Sequence, residues 1–339
     1  MGEREFWVGT YTGGAGGGAG VYRVLRRASG ALEAPRLAVE AVNPSYLARH
    51  PGRAVLYAVR EEAEGAVLAY DVAGARPREI GRRAVGANPC HLSVAPGGRH
   101  LVVADYGSGT VRAVPLAADG GFAGDPHVAA GHGSGPVADR QEGPHAHGSA
   151  HAPDGTVLTA DLGADLVRSF RIEPGGLRLT GETPLPAGSG PRHLAVHPGG
   201  HVHVVAELAP AVLVLRPLGG YSALEVVSDS PATAGAAAGG SLGAAIGTGA
   251  GGRYVYTSTR GADVVTAHRV LDGGAALTPV ADVPSGGHWP RDLHVDGEWM
   301  HVANERGGTV ATFRIGADGV PEPAGTPLPV PAPVCVLPA

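Results

Sequence analysis

An all-β, seven-bladed β-propeller is the fold this sequence predicts, and three observations predict it. One strand-and-turn plan recurs about every 50 residues, Gly and Pro number 56 and 29, and the two chain ends read as parts of one further repeat. Gly and Pro at that density leave little room for long helices and favour turn-dense β structure. A period near 50 built from strands alone is that of propeller blades with about four strands each. Such a unit cannot bury both sheet faces by itself, so the blades stack around an axis.

Six segments carry the plan: Asn43 to Val72, Asn88 to Leu116, Gly143 to Ile172, Gly190 to Leu218, Gly243 to Val270 and Trp289 to Ile315. Each runs from a Pro-led apolar strand through a Pro/Gly turn to a second apolar strand, a polar pair and a third strand. The leading prolines stand at 44, 89, 144, 191 and 290, with Ala244 near the position where the fifth repeat lacks one. The stretch 188–208, GSGPRHLAVHPGGHVHVVAEL, is the fullest statement of the plan. A seventh unit comes from the ends. Phe6 to Leu32 starts where a second strand belongs, with a Gly-rich loop from Gly13 to Gly20. The last residues, VPAPVCVLPA, read as a first strand with nothing after it. The C-terminal strand is therefore expected to join the N-terminal blade and close the ring, which removes two open sheet edges. Residues 1–339 are read as a single domain. Two long connections, Ala129 to Gly143 and Pro231 to Gly243, break the rhythm and are candidate lids.

Charge and composition remove several function classes. The net charge is −5, and all 26 basic residues are Arg, with no basic run, so neither nucleic acid nor a membrane is an expected partner. The absence of Lys excludes a lysine Schiff base and a P-loop lysine. MGEREFWVGTYT lacks the apolar core of a signal peptide, and no apolar run approaches a membrane span, so a cytoplasmic protein is expected. Cys90 and Cys335 are expected to be free thiols.

Several local motifs carry nothing. Gly239 to Gly243 matches a nucleophile elbow but lacks the preceding strand and following helix. Gly247, Gly249 and Gly252 match GxGxxG without a βαβ unit. His145 and His147 would share one face of a strand, yet no third ligand stands at diagnostic spacing, so no metal and no cofactor is expected.

The polar residues that break the apolar repeats are better candidates. At the first-strand position stand His91, His145, His147, Arg192, His193, Arg291 and Asp292. At the end of the second strand stand Arg60, Glu61, Asp105, Asp161, Glu207, Arg260, Asn304 and Glu305. In a propeller these positions crowd round the mouth of the central channel, where small molecules bind. Arginines and carboxylates there need partners, either a neighbouring blade or a substrate.

With VGTYT (Val8 to Thr12), NPSYL (Asn43 to Leu47), ADYGSGTV (Ala104 to Val111), PHAH (Pro144 to His147), GSGPRHLAVHP (Gly188 to Pro198), AEL (Ala206 to Leu208), the SxRG element (Ser258 to Gly261), PRDL (Pro290 to Leu293) and PAPVCV (Pro331 to Val336), the chain resembles the lactonase family of seven-bladed propellers. That family includes propeller-type 6-phosphogluconolactonases and a fungal carboxy-muconate lactonizing enzyme. The resemblance implies catalytic roles for His145 or His147, Arg192, Glu207 and Arg260; by their strand positions His193, His91, Asp161, Arg291 and Asn304 are the substrate-binding candidates. Three positions depart from the family pattern: Gly247 stands for His, Thr259 for Asn and Ala206 for Asn.

The function the resemblance implies is hydrolysis of an anionic small-molecule lactone, by a monomer or weak homodimer. Arg192 and Arg260 would clamp a carboxylate or phosphate, Glu207 would activate water, and a PHAH histidine would protonate the leaving alkoxide. A lactonizing cyclase or isomerase acting on an unsaturated acid, and a binding propeller without turnover, are the other two classes.

Overall fold

The computed structural model describes residues 2–13, 17–235 and 239–339, together with the backbone but not the side chain of 250. Parts of two expected segments, 14–16 of the Gly-rich loop and 236–238 of the Ala/Gly connection, lie outside the described residues.

The strands gather into seven antiparallel sheets, one for each repeat, and the protein is an all-β, seven-bladed β-propeller. The first sheet has the order Pro333–Pro338, Arg4–Thr10, Gly20–Arg26, Arg36–Glu40. Its C-terminal strand pairs from Phe6↔Pro338 to Thr10↔Pro333, as the sequence predicts. The first strands of the next six sheets are Leu47–Arg49, Pro89–Val94, Ala146–His151, Pro191–Val196, Leu242–Thr248 and Pro290–Asp296.

Two compact units are distinguished by their internal packing. Val42–Leu194 with Pro217–Glu225 is one; Met1–Ala41, Ala195–Arg216 and Val226–Ala339 make the other. In each, apolar clusters draw on consecutive sheets. In the former, Val55, Tyr57 and Val67 pack with Leu92, Leu101 and Val103. In the latter, Tyr256, Val265 and Ala267 pack with Met300, Val302 and Phe313. Burying a side chain of this size contributes about 1.5–3 kcal/mol. Equivalent tyrosines tie repeat to repeat: the Tyr57 hydroxyl donates to the Gly120 carbonyl at 2.7 Å, and that of Tyr256 to Gly319 at 2.9 Å.

Five of the first strands follow a residue with left-handed backbone. Asn43, Asn88, Gly190, Trp289 and Ala332 precede the strand-leading prolines, and all have positive φ. An Asp on the turn after the preceding repeat's second strand holds two of these lead-ins. Asp165 accepts from Gly188 N at 2.7 Å, Ser189 Oγ at 3.1 Å and Gly190 N at 2.8 Å. Asp263 accepts from Trp289 N at 2.9 Å and contacts His288 Nδ1. Both aspartates themselves have positive φ, 51° and 54°, a region that Asp and Asn adopt at less cost than Ala. Asp165→Ala is expected to destabilise the protein by about 2–4 kcal/mol in urea titrations, and Asp165→Asn by clearly less. Equal losses would show that the tolerance of positive φ, which Asn keeps and Ala lacks, contributes nothing measurable.

The long connection from Ala129 to Gly143 is anchored by Gln141, which is fully buried. Its Nε2 donates to the Leu162 carbonyl at 2.8 Å, and Gly135 N donates to its backbone carbonyl at 3.0 Å.

Candidate active site

In the unit holding residues 42–194, the sequence-selected histidines meet. His91, His147 and His193 are all buried. The His193 ring lies 5.2 Å from that of His91 and 5.3 Å from that of His147, edge to face in both pairs. Tyr46 lies 4.1 Å from the His91 ring and meets His193 edge-on at 5.8 Å. Tyr106 meets His147 edge-on at 5.7 Å.

Arg192, 3% exposed, lies within this group, its Nη1 3.2 Å from His193 Nε2. A guanidinium can only donate, so Nε2 is the acceptor and His193 is the neutral Nδ1–H tautomer. Burial pushes the His91 pKa down to about 3, helped by the positive charge of Arg192 and then by His151. His91 is therefore neutral at pH 7, beside the charged Arg192 guanidinium.

The two PHAH histidines separate. His145 Nδ1–H donates to the Tyr106 carbonyl at 2.9 Å, Nε2 lies 3.0 Å from Glu142 Oε1, and the ring stacks on Tyr106 at 4.4 Å. His147 stands in the imidazole cluster. The shared strand face expected of the pair is interrupted. The strand starts at Ala146, and its register shifts between Ala146 and Gly148. His147 is the extra residue of that bulge. The same shift occurs between Pro89 and His91 and between Pro290 and Asp292, making Cys90 and Arg291 the extra residues there. Bulges re-aim side chains and are frequent beside active sites. Arg192 occupies the matching sequence position in the fourth repeat.

In the other unit, Glu207 and Arg260 form an ion pair at 2.7 Å, with side chains 3% and 5% exposed. Arg260 Nη2 also donates to the Gly243 carbonyl at 2.6 Å, and Gly243 N donates to the Glu207 carbonyl at 3.1 Å. A Cβ on Gly243 would stand 2.2 Å from the Ala206 carbonyl oxygen, so only glycine allows this approach. Trp289 lies over the pair's cation: its ring is 5.7 Å from Arg260 Cζ and 3.5 Å from Arg306 Cζ. With φ at 67°, Trp289 is a backbone outlier for a bulky residue, a kind of strain that clusters at functional sites.

The remaining candidates hold structure together around these groups. Asp161 Oδ1 accepts from the backbone of His145, Gly163 and Ala164, and Oδ2 pairs with Arg168. Asp105 binds Thr110 and Arg112. Asp292 accepts from Val336 N at 2.9 Å. Arg291 reaches Tyr11 Oη at 2.7 Å and Glu305 at 3.4 Å. Asn304 donates to the Ser285 carbonyl at 3.0 Å, while its Oδ1 is buried without a hydrogen-bond partner among the described residues.

Gly247, where the resemblance calls for His, faces Leu293 and Val295, which a Cβ would meet at 2.9 and 3.2 Å. A larger side chain there would require Leu293 and Val295 to shift. Sequence reasoning missed Tyr46, Tyr106 and Trp289 as site residues. Trp289 carried a signal: it precedes a leading Pro where other repeats have Asn or Gly.

Among the described residues no group of three or more His, Cys, Asp or Glu is placed to hold a metal ion. Both cysteines are buried, and neither is in a disulfide among the described residues. No helix among the described residues is long and apolar enough to cross a membrane.

Seven antiparallel blades, six of four strands and one of five, with buried His, Arg and Glu side chains at strand ends, define a β-propeller. The chain belongs to the lactonase, 7-bladed beta-propeller family, whose model matches residues 5–338. It is 32% identical to the 6-phosphogluconolactonase of Bacillus subtilis over 343 residues, covering 97% of each chain. The periplasmic gluconolactonase of Pseudomonas aeruginosa has a similar structure, with 26% identity, a TM-score of 0.90 and 99% of each chain covered. A Lactobacillus plantarum protein is similar at 25% identity and a TM-score of 0.92, again over 99% of each chain.

Proposed function

We propose that the protein hydrolyses a small lactone that carries a carboxylate or phosphate. The observation that carries this reading is the buried cluster in which one guanidinium, Arg192, stands among the neutral imidazoles of His91 and His193, with His147 beside them. A fixed cation in a water-poor setting stabilises the oxyanion that forms when water attacks a lactone carbonyl. An imidazole at the position of His147 protonates the leaving ring oxygen. Arg192 also supplies the donors that an anionic substituent requires. The lactonase names of the relatives in Bacillus subtilis and Pseudomonas aeruginosa support the same chemistry. Glu207 and Arg260 are proposed as a second pair required for activity, with Arg260 fixing the orientation of the Glu207 carboxylate.

The test is acid release from 6-phosphogluconolactone and from uncharged gluconolactone, each corrected for spontaneous hydrolysis. The phosphorylated lactone is expected to be the better substrate. His147→Ala is expected to lower kcat by about 100- to 10,000-fold, whereas His145→Ala reduces stability more than rate. No acid release above background from either lactone would overturn the reading. Consumption of an unsaturated diacid instead would reassign the protein as a lactonizing enzyme.

A further inference from the structure

The second and third repeats share an unusual polar chain. Aligned on their Pro/Gly turns, the second, fourth and sixth repeats carry Leu92, Leu194 and Leu293 at one first-strand position, and Val94, Val196 and Val295 two residues on. The third repeat has Ser149 and His151 at those positions. Two apolar sites have become polar together, and both new side chains bind across to the second repeat.

Ser149 Oγ lies 3.3 Å from His91 Nδ1 and 2.8 Å from Ser93 Oγ, and Ser93 Oγ lies 3.0 Å from His151 Nε2. The period of two along each strand allows this: His91 with Ser93, and Ser149 with His151, each face one side. Each hydroxyl thus has one neighbour on either side within the chain, and each can accept from one while donating to the other. His91 and Ser149 are buried, and His151 is half-buried. The chain therefore runs from the imidazole cluster toward a more open end.

We propose that His91, Ser149, Ser93 and His151 form a proton relay that carries away the proton released by lactone hydrolysis; this rests on the functional reading above. Hydrolysis joins the oxygen of water to the acyl carbon, breaks the acyl carbon–oxygen bond of the ring and returns one proton to the ring oxygen. Ionisation of the new carboxylic acid leaves one proton over. That proton enters at His91 Nε2 as the Nδ1 proton passes to Ser149 Oγ. The Ser149 hydroxyl proton passes to Ser93 Oγ, the Ser93 proton passes to His151 Nε2, and His151 gives its Nδ1 proton to water. The hydroxyls then rotate, and the imidazoles regain their starting tautomers by exchange with water.

His91, Ser149, Ser93 and His151 are positioning and relay groups, separate from the proposed roles of Arg192 and His147. Two measurements test them, one independent of turnover. In the first, solvent exchange of the His91 ring N–H is followed by NMR on 15N-histidine-labelled protein. Ser149→Ala and Ser93→Ala are expected to slow exchange at least tenfold, while Ser149→Thr, which restores the hydroxyl, returns it toward wild type.

In the second, His151→Ala is expected to lower kcat about tenfold at unchanged KM, with rescue by imidazole buffer. Folding is monitored by circular dichroism throughout. Folded serine variants with wild-type exchange would overturn the relay, and so would a His151→Ala defect that imidazole does not rescue. Absence of lactone hydrolysis with serine-dependent exchange would sustain the proton path and overturn its proposed use.

Discussion

Arg260→Ala is expected to cost the protein about 3–5 kcal/mol, because it takes from the buried Glu207 carboxylate a cation that lies 2.7 Å away. The two side chains are 3% and 5% exposed and 2.7 Å apart, so water cannot replace the lost partner. The same change removes the donor to the Gly243 carbonyl. Urea unfolding at neutral pH measures the loss. The double variant Glu207→Leu with Arg260→Met removes both charges together and is expected to recover most of the stability, since an apolar pair of similar size is often as stable as a buried ion pair. It is expected to recover no lactone hydrolysis. A loss below about 1 kcal/mol for Arg260→Ala would place the pair with exposed surface ion pairs and contradict its burial.

Acid is expected to unfold this protein well above the carboxylate range, through histidines that are buried neutral. Burial pushes the pKa of His203 and His268 down from 6.5 to about 4 and that of His301 to about 3. Their hydrogen bonds explain the cause. His203 Nε2–H donates to the Gly274 carbonyl, His268 Nε2 meets Thr257 Oγ1, and His301 Nδ1 meets Thr312 Oγ1. The other ring nitrogen of each is buried without a hydrogen-bond partner among the described residues. An added proton there would have nothing to bind.

Because these folded-state values lie below 6.5, the unfolded chain binds more protons as the pH falls. The stability they allow is complete above pH 6.5 and is lost as the pH drops through 6.5 toward 4. Each contributes up to roughly 3 kcal/mol by this linkage. The urea midpoint is expected to fall steeply over that window, and His301→Phe, whose ring would pack on Phe6, is expected to flatten the slope. A midpoint constant down to pH 4.5 would sink the argument.

Much of this protein is written in its sequence. Repeats spaced by leading prolines and Pro/Gly turns determined the blade count, because each strand pair needs a reversal and each reversal needs residues that tolerate it. The incomplete first and last repeats determined the pairing of Pro333–Pro338 with Arg4–Thr10, since a lone strand leaves its backbone groups unpaired. The residue types of the site, Arg192, Glu207, Arg260 and the PHAH histidines, were legible as polar interruptions of apolar repeats.

Tertiary structure decided which partners these residues meet. Alternation predicted one shared face for His145 and His147, but a bulge at His147 gives them separate neighbours. Asp161 and Glu207 look alike at the ends of second strands. One accepts three backbone N–H groups and pairs with Arg168; the other pairs with Arg260 beneath Trp289. The hydroxyls that link His91 to His151 come from different repeats, 56 residues apart. A repeat pattern encodes where a side chain stands within its own blade. Its hydrogen-bond partner, and hence its charge and chemistry, is set by residues brought close only when the sheets pack.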